Sequence, residues 1–264
     1  DTTTPTGTIK NSSGTAISGY TNGAFSYTAT DTGSGVSYLQ YKKPGSSSWL
    51  SYTSGTTIAS TATNGQYQFR AVDKAGNVSD TQTIYLDSAA PTGTIKNSSG
   101  TAISGYTGGA FSYTATDTGS GVSYLQYKTP GSSSWTTYSS GTTISASATN
   151  GLYQFRAVDN AGNTSAVSSI YLDTAIPTGR ITDSNGTTVT TTTNKAFKYT
   201  ASDGLSGIAY MQYKKPNSTV WETYAAGTLI QTTDTNGIYR FRAFDNAGNE
   251  SETVMICLDT VKPT

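Results

Sequence analysis

Tyr67-Gln68-Phe69-Arg70-Ala71-Val72-Asp73-Lys74-Ala75-Gly76-Asn77 is the stretch that decides how this chain is read. From Tyr67 to Val72, large apolar groups alternate with polar or small ones, as in a strand with one face on a core and the other in water. The remainder, Asp-x-Ala-Gly-Asn, is turn chemistry: Asp and Asn bond nearby backbone N–H groups and Gly supplies a positive φ. The same pattern returns at residues 153–163 and 239–249, so the reading applies three times.

Working outward, the repetition extends over the whole chain. Pro5, Pro91, Pro177 and Pro263 stand 86 residues apart, as do Asp1, Asp87, Asp173 and Asp259, and Trp49, Trp135 and Trp221. The expected units are residues 1–86, 87–172 and 173–258, with 259–264 opening a fourth. About four fifths of positions match between the first two copies and about half between the second and third, so the third is the informative comparison. The chain starts and stops at repeat boundaries, as a fragment of a longer array would.

Each copy divides into short strands separated by turn residues. In the first they are expected at 8–10, 25–29, 36–42, 49–52, 57–59, 67–72 and 84–86, and no segment keeps a 3.6-residue period long enough for a helix. About seven strands in a unit of this size imply two sheets burying alternate residues against each other. Phe25, Tyr27, Ile58, Tyr67, Phe69, Ala71, Ile84 and Leu86 form the expected interior, with Trp49 as a large plug. Phe197, Tyr199, Ile230, Tyr239, Phe241, Ala243, Ile256 and Leu258 repeat that set in the third copy. Tyr67, just after Asn64-Gly65, fits a tyrosine corner whose phenol bonds back to nearby backbone.

Together with Asp31-Thr32-Gly33-Ser34-Gly35-Val36, the stretch Phe69 to Asn77 and the Asp-x-x-x-Pro-Thr boundary resemble tandem bacterial Ig-like repeats of surface proteins and adhesins. That resemblance implies an all-β chain of three tandem immunoglobulin-like β-sandwich domains in an extended rod. It also implies an extracellular place, at a bacterial cell surface or secreted, and a non-catalytic role. A single cysteine, Cys257, rules out the pinning disulfide of antibody-type domains; it is read as a lone, partly covered thiol.

Composition narrows the function further. Sixteen basic residues balance sixteen acidic ones, which leaves no electrostatic footprint for nucleic acid or an anionic membrane. There is no histidine, so the commonest general base and transition-metal ligand are missing. No run approaches the length of a membrane span, and no signal-peptide pattern opens the sequence. Carboxylates such as Asp31, Asp73 and Asp80 could pair for acid–base work, but a unit this small has little room for a cleft, and serine runs such as Ser46-Ser47-Ser48 lack a base. Lysine–asparagine cross-linking through Lys10 or Lys96 fails on the third copy, where Thr182 holds that place.

Two constellations remain. In this topology the loops of Asp31 and Asp73 and the incoming linker share one pole. Asp87, Asp117, Asp159 and Asn163 are therefore expected together at the first junction, and Asp173, Asp203, Asp245 and Asn249 at the second. Calcium takes six to eight oxygens, so either group is a candidate calcium or junction-stabilising site, with no other cofactor expected. The competing reading is turn chemistry alone, and it is favoured. The second constellation is a sheet face on which Tyr38, Gln40, Gln68, Arg70 and Tyr85 point outward, as do Tyr124, Gln126, Gln154, Arg156 and Tyr171 in the second copy. Tyr and Arg are enriched at binding hot spots, and aromatic rings stack on sugars. The alternative is a solvated face on which arginine stems cover tyrosine rings. In the third copy Arg240 replaces Gln154 and Cys257 replaces Tyr171.

The junctions end in proline and hold no Gly–Ser run, so neighbouring units should keep a limited range of angles. The resulting expectation is a monomeric, semi-rigid stalk projecting an adhesive or enzymatic region, its partners being the neighbouring repeats. The alternatives are an adhesin module contacting host glycans or glycoproteins, immunoglobulins included, and an accessory module of a secreted carbohydrate-active enzyme.

Overall fold

The computed structural model describes residues 1–262, and every regular element among them is a strand. The first repeat contains β1 (Thr6–Asn11), β2 (Gly19–Thr21), β3 (Phe25–Thr30), β4 (Val36–Lys42), β5 (Leu50–Tyr52), β6 (Gly65–Asp73) and β7 (Gln82–Leu86). The second runs through β8 (Thr92–Asn97), β9 (Gly105–Thr107), β10 (Phe111–Thr116), β11 (Val122–Lys128), β12 (Thr136–Tyr138), β13 (Gly151–Asp159) and β14 (Ser168–Leu172). In the third lie β15 (Thr178–Asp183), β16 (Thr192–Thr193), β17 (Phe197–Ser202), β18 (Ile208–Lys214), β19 (Glu222–Tyr224), β20 (Gly237–Asp245) and β21 (Val254–Leu258). Of the expected opening of a fourth repeat, residues 263 and 264 lie outside the described residues.

Each repeat is two sheets face to face. A small antiparallel pair, β1 with β3, covers a five-stranded sheet in the order β2-β7-β6-β4-β5, in which β2 runs parallel to β7. Between them Ile9, Phe25, Tyr27, Leu39, Tyr52, Tyr67, Phe69, Ala71, Ile84 and Leu86 close a core, and the second and third repeats close their own. Tyr27 stacks on Phe69 with ring centroids 5.0 Å apart, while Tyr52 meets Phe69 edge-on at 5.2 Å. These offset and edge contacts let a chain poor in aliphatic residues fill its interior with rings.

Two backbone devices fix this arrangement. The Tyr52 hydroxyl accepts the Tyr27 amide at 2.9 Å and donates to the Thr56 carbonyl, which ties β3 to the segment after β5. The Tyr67 hydroxyl donates to the Thr63 carbonyl, four residues upstream, at 3.0 Å, as a tyrosine corner does. Between them Gly65 turns at φ 131°, and a Cβ there would lie 2.7 Å from the Pro44 side chain, so only glycine fits.

Three details depart from the sequence reading. Trp49 does not plug the core. Strand β5 starts at Leu50, and pairing of Tyr52 with buried Leu39 puts Tyr52 inside, leaving Trp49 half-buried on the outer side. The expected strand at 57–59 reduces to one bridge, Phe25 to Ile58; Ile58 and its counterpart Ile144 are half-buried, while Ile230 is buried. A strand of only three residues, β2, escaped the pattern altogether because its side chains are largely exposed.

Candidate functional site

The joints are built around one aspartate each. Asp87 is fully covered, 0% exposed, although it sits in the linker. Its amide donates to the Thr21 carbonyl of the first repeat at 2.9 Å, continuing the β2–β7 pairing by one residue. Its carboxylate turns to the second repeat, where it accepts the Ser120 amide at 2.6 Å, and its carbonyl accepts the Asn163 side-chain amide at 2.8 Å. The next residue, Ser88, donates through its amide and hydroxyl to Asn64 of the first repeat. The linker is therefore bonded on both sides, and Pro91 is buried just beyond it.

Asp173 repeats the scheme. Its amide donates to Thr107, and its carboxylate and carbonyl accept from Ser206 and Asn249 at 3.0 and 2.8 Å. Leu205 stands where the first joint has Gly119, a position at which a Cβ would come 2.3 Å from the Asp87 carboxylate. The longer Asp173 bond fits that added bulk.

Around each of these aspartates the expected acidic groups gather. One carboxylate oxygen from each of Asp87, Asp117 and Asp159 lies within 4.8 Å of the others, and the same holds for Asp173, Asp203 and Asp245, and for Asp1, Asp31 and Asp73. Backbone amides take up much of this charge. Asp117 accepts from Gly119 and Gly121, and Asp203 from Leu205, Ser206 and Gly207. Asn163 is a donor here, bridging the Asp87 carbonyl to the Asp159 carboxylate. Asn249 does the same between Asp173 and Asp245.

Desolvation pulls the Asp87 carboxyl upward, but hydrogen bonds from Ser120 and Ala89 outweigh it and hold the group below the usual carboxylate range. Asp73 and Asp203 are lowered by the same balance, burial being outweighed by Asn77, Ser34 and Gly76 for Asp73 and by the loop amides for Asp203. Asp31 Oδ1, at the first pole, is buried with no hydrogen-bond partner.

The other constellation lies on the outer face of the five-stranded sheet. Gln40 opposes Arg70 across β4 and β6, Gln68 opposes Thr83 across β6 and β7, and Tyr85 pairs with Tyr20 of β2. Tyr38 is 51% exposed on the same side of β4. The equivalent second-repeat residues, Tyr124, Gln126, Gln154, Arg156 and Tyr171, take matching places on β11, β13 and β14. Arginine does cover an aromatic ring here, but the ring is Trp49: the Arg70 guanidinium lies 4.2 Å from its centre and the Lys42 ammonium 4.9 Å. Sequence reasoning missed this pairing because it had assigned Trp49 to the interior. The third repeat alters the face by stacking Tyr210 on Phe244, whose counterparts are Val72 and Val158, and by exposing Ile238 and Met255 beside Cys257.

Residues 29–88, the greater part of the first repeat and the start of its joint, match the family model of a bacterial Ig-like domain. No curated protein matches the chain. Among solved structures, the fibronectin(III)-like modules of Clostridium thermocellum CbhA are 17% identical, with 62% of this chain and 92% of that one covered and a TM-score of 0.30. The FN1–FN3 domains of chicken CNTN1 are 17% identical over 95% and 97%, with a TM-score of 0.28. Extracellular domains 3–5 of Drosophila OTK are 12% identical over 92% and 94%, with a TM-score of 0.35.

Proposed function

We propose that this chain is a non-catalytic, semi-rigid spacer of a bacterial cell-surface or secreted protein, holding an adhesive or enzymatic region at a distance. The observation that carries the reading is the aspartate of each joint, Asp87 and Asp173, which bonds through its amide to the repeat before it and through its carboxylate and carbonyl to the repeat after it. A linker meant to flex would leave those groups to water. With strands rising roughly 3.3 Å per residue, three sandwiches end to end reach on the order of 100 Å. Small-angle scattering on the chain and on an Asp87→Ala/Asp173→Ala variant tests it: the native chain should give one narrow, elongated distance distribution that broadens in the variant. A compact or already broad native distribution would overturn the spacer reading.

A second reading, calcium in the aspartate clusters, is favoured at the first pole by the orphaned Asp31 Oδ1 beside two other carboxylates, and at all three clusters by the absence, among the described residues, of any salt bridge to these aspartates. The donors are all oxygens, which suits calcium. Asp31 with Asp1 and Asp73, Asp87 with Asp117 and Asp159, and Asp173 with Asp203 and Asp245 would hold it. Melting in calcium against chelator should then show a raised midpoint; an unchanged one leaves hydrogen bonding alone in charge of the joints.

A further inference from the structure

The two salt bridges among the described residues both lie in the third repeat, Lys215 to Glu222 and Arg242 to Glu250. Arg242 is held in a fixed pose. Its Nε donates to Gln212 at 2.9 Å, its guanidinium lies 4.2 Å from the Trp221 ring centre, and its Nη1 donates to the Glu250 carboxylate at 2.7 Å. Arg70 and Arg156 keep the first two parts of that pose. Their Nε atoms donate to Gln40 and Gln126 at 2.8 and 2.9 Å, and they stack on Trp49 and Trp135 at 4.2 and 4.4 Å.

The third part is missing. The residues bridged at the place of Glu250 are Val78 in the first repeat and Thr164 in the second. Each fork thus keeps its outer N–H groups without a carboxylate partner among the described residues, and the ammonium of Lys42 or Lys128 lies against the same tryptophan ring. The acidic residues of these two repeats are Asp1, Asp31, Asp73, Asp87, Asp117 and Asp159 in the polar clusters, and Asp80 in the loop before β7.

We propose that this sheet face in the first and second repeats binds an acidic polysaccharide through its carboxylates, as a polyuronate would offer them. Glu250 shows which group complements the fork: in the third repeat the chain supplies its own carboxylate there, and planar carboxylate matches guanidinium donors held in one orientation. Exposed Tyr38 and Tyr124 stand next to the forks on β4 and β11, offering ring faces to a pyranose, whereas Tyr210 is stacked on Phe244. A polymer that spans two copies on one chain gains avidity from the second. The inference is separate from the spacer reading, since a rod can carry a ligand on its side.

Affinity electrophoresis of the full chain, in gels holding polygalacturonate, neutral dextran or dextran sulfate, tests it against mobility in plain gels. The native chain should be retarded by polygalacturonate and not by dextran. Val78→Glu/Thr164→Glu, which installs the carboxylate of the third repeat, should weaken retardation about tenfold, the worth of one charge-assisted bond per site. Ser12→Glu/Ser98→Glu, with the same added charge on the exposed turns after β1 and β8, should not. Glu250→Thr should strengthen retardation by opening a third fork, and it keeps the test alive if the double glutamate variant melts early. No retardation of the native chain, equal loss in both glutamate pairs, or stronger retardation by dextran sulfate than by polygalacturonate would overturn the proposal.

Discussion

The amide of Gly108, in the second repeat, donates to the carbonyl of Ala247, in the third, at 3.0 Å. A Cβ at 108 would lie 2.6 Å from Asn249 Oδ1 and 3.2 Å from that carbonyl, so the contact requires glycine. The first joint has Asn22 in the same place. Among the described residues its amide makes no bond to Ala161, and its side-chain nitrogen approaches the Gly162 backbone instead. The two joints thus differ here through one side chain, as they differ at the carboxylate through Gly119 and Leu205.

Gly108→Asn should remove that bond and give the second joint the looser contact of the first, with little effect on either sandwich, about 1 kcal/mol or less. Residual dipolar couplings, which report the relative orientation of the two repeats, should change. Unchanged alignment would mean the joint angle is set elsewhere.

Asp87→Ala should free the first joint without unfolding the repeats, seen as rapid proteolysis of the linker at 87–91. Acid should do the same to the native chain. Because the Asp87 carboxyl titrates below its ordinary value when folded, its contribution is present above about pH 4 and is lost as the pH falls through the lowered value. Linker cleavage that is flat between pH 6 and pH 3, measured with an acid-active protease, would contradict this.

Tyr113→Phe and Tyr138→Phe remove the same atom with opposite consequences. The Tyr113 hydroxyl is buried against Gly93, and the Ser165 and Ser168 side chains near it make no hydrogen bond of normal geometry, so its loss should be neutral or mildly stabilising. The Tyr138 hydroxyl accepts the buried Tyr113 amide at 3.0 Å, and its loss should cost about 1–3 kcal/mol by stranding that donor. Urea denaturation of both variants decides the order, and a costlier Tyr113→Phe would reverse the assignment.

Alkali should unfold the repeats. Burial raises Tyr27, Tyr52 and Tyr67 in the first repeat, Tyr113, Tyr138 and Tyr153 in the second, and Tyr199, Tyr224 and Tyr239 in the third. A raised acid stabilises the fold fully below its unfolded value, about 10, and that stability drains away as the pH climbs toward the folded one. Exposed tyrosines such as Tyr38 and Tyr124 should ionise first, so absorbance at 295 nm should rise in two stages, with the later stage coincident with collapse of the circular dichroism between pH 8 and 12; a single stage completed before the fold is lost would place the buried phenols in water.

Phe69→Ala should cost about 3–5 kcal/mol, since the ring is wholly buried among Tyr27, Tyr41 and Tyr52. Trp49→Ala should cost far less, because its ring is half-buried outside the core beneath Arg70. Thermal melts of the pair settle which aromatic the sandwich rests on.

The alternation in Tyr67-Gln68-Phe69-Arg70-Ala71-Val72, the turn after it and the 86-residue repeat were enough to read sandwiches from the sequence, because strand period and turn chemistry are local properties. The meeting of Asp87, Asp117 and Asp159 was legible too, since strand order places the loops at one pole. Hydrogen-bond direction was not: Asn163 proved a donor that staples Asp87, a matter of which amide edge faces which oxygen. Nor could the sequence place Trp49, whose side of β5 depends on where pairing with Leu39 begins. Composition and spacing determined three β-sandwiches in a row. Tertiary structure alone decided that each joint is riveted by an aspartate, that Gly108 gives one joint a backbone bond the other lacks, and that Arg70 and Arg156 lack the carboxylate that Arg242 has, because each depends on contacts between segments distant in the chain.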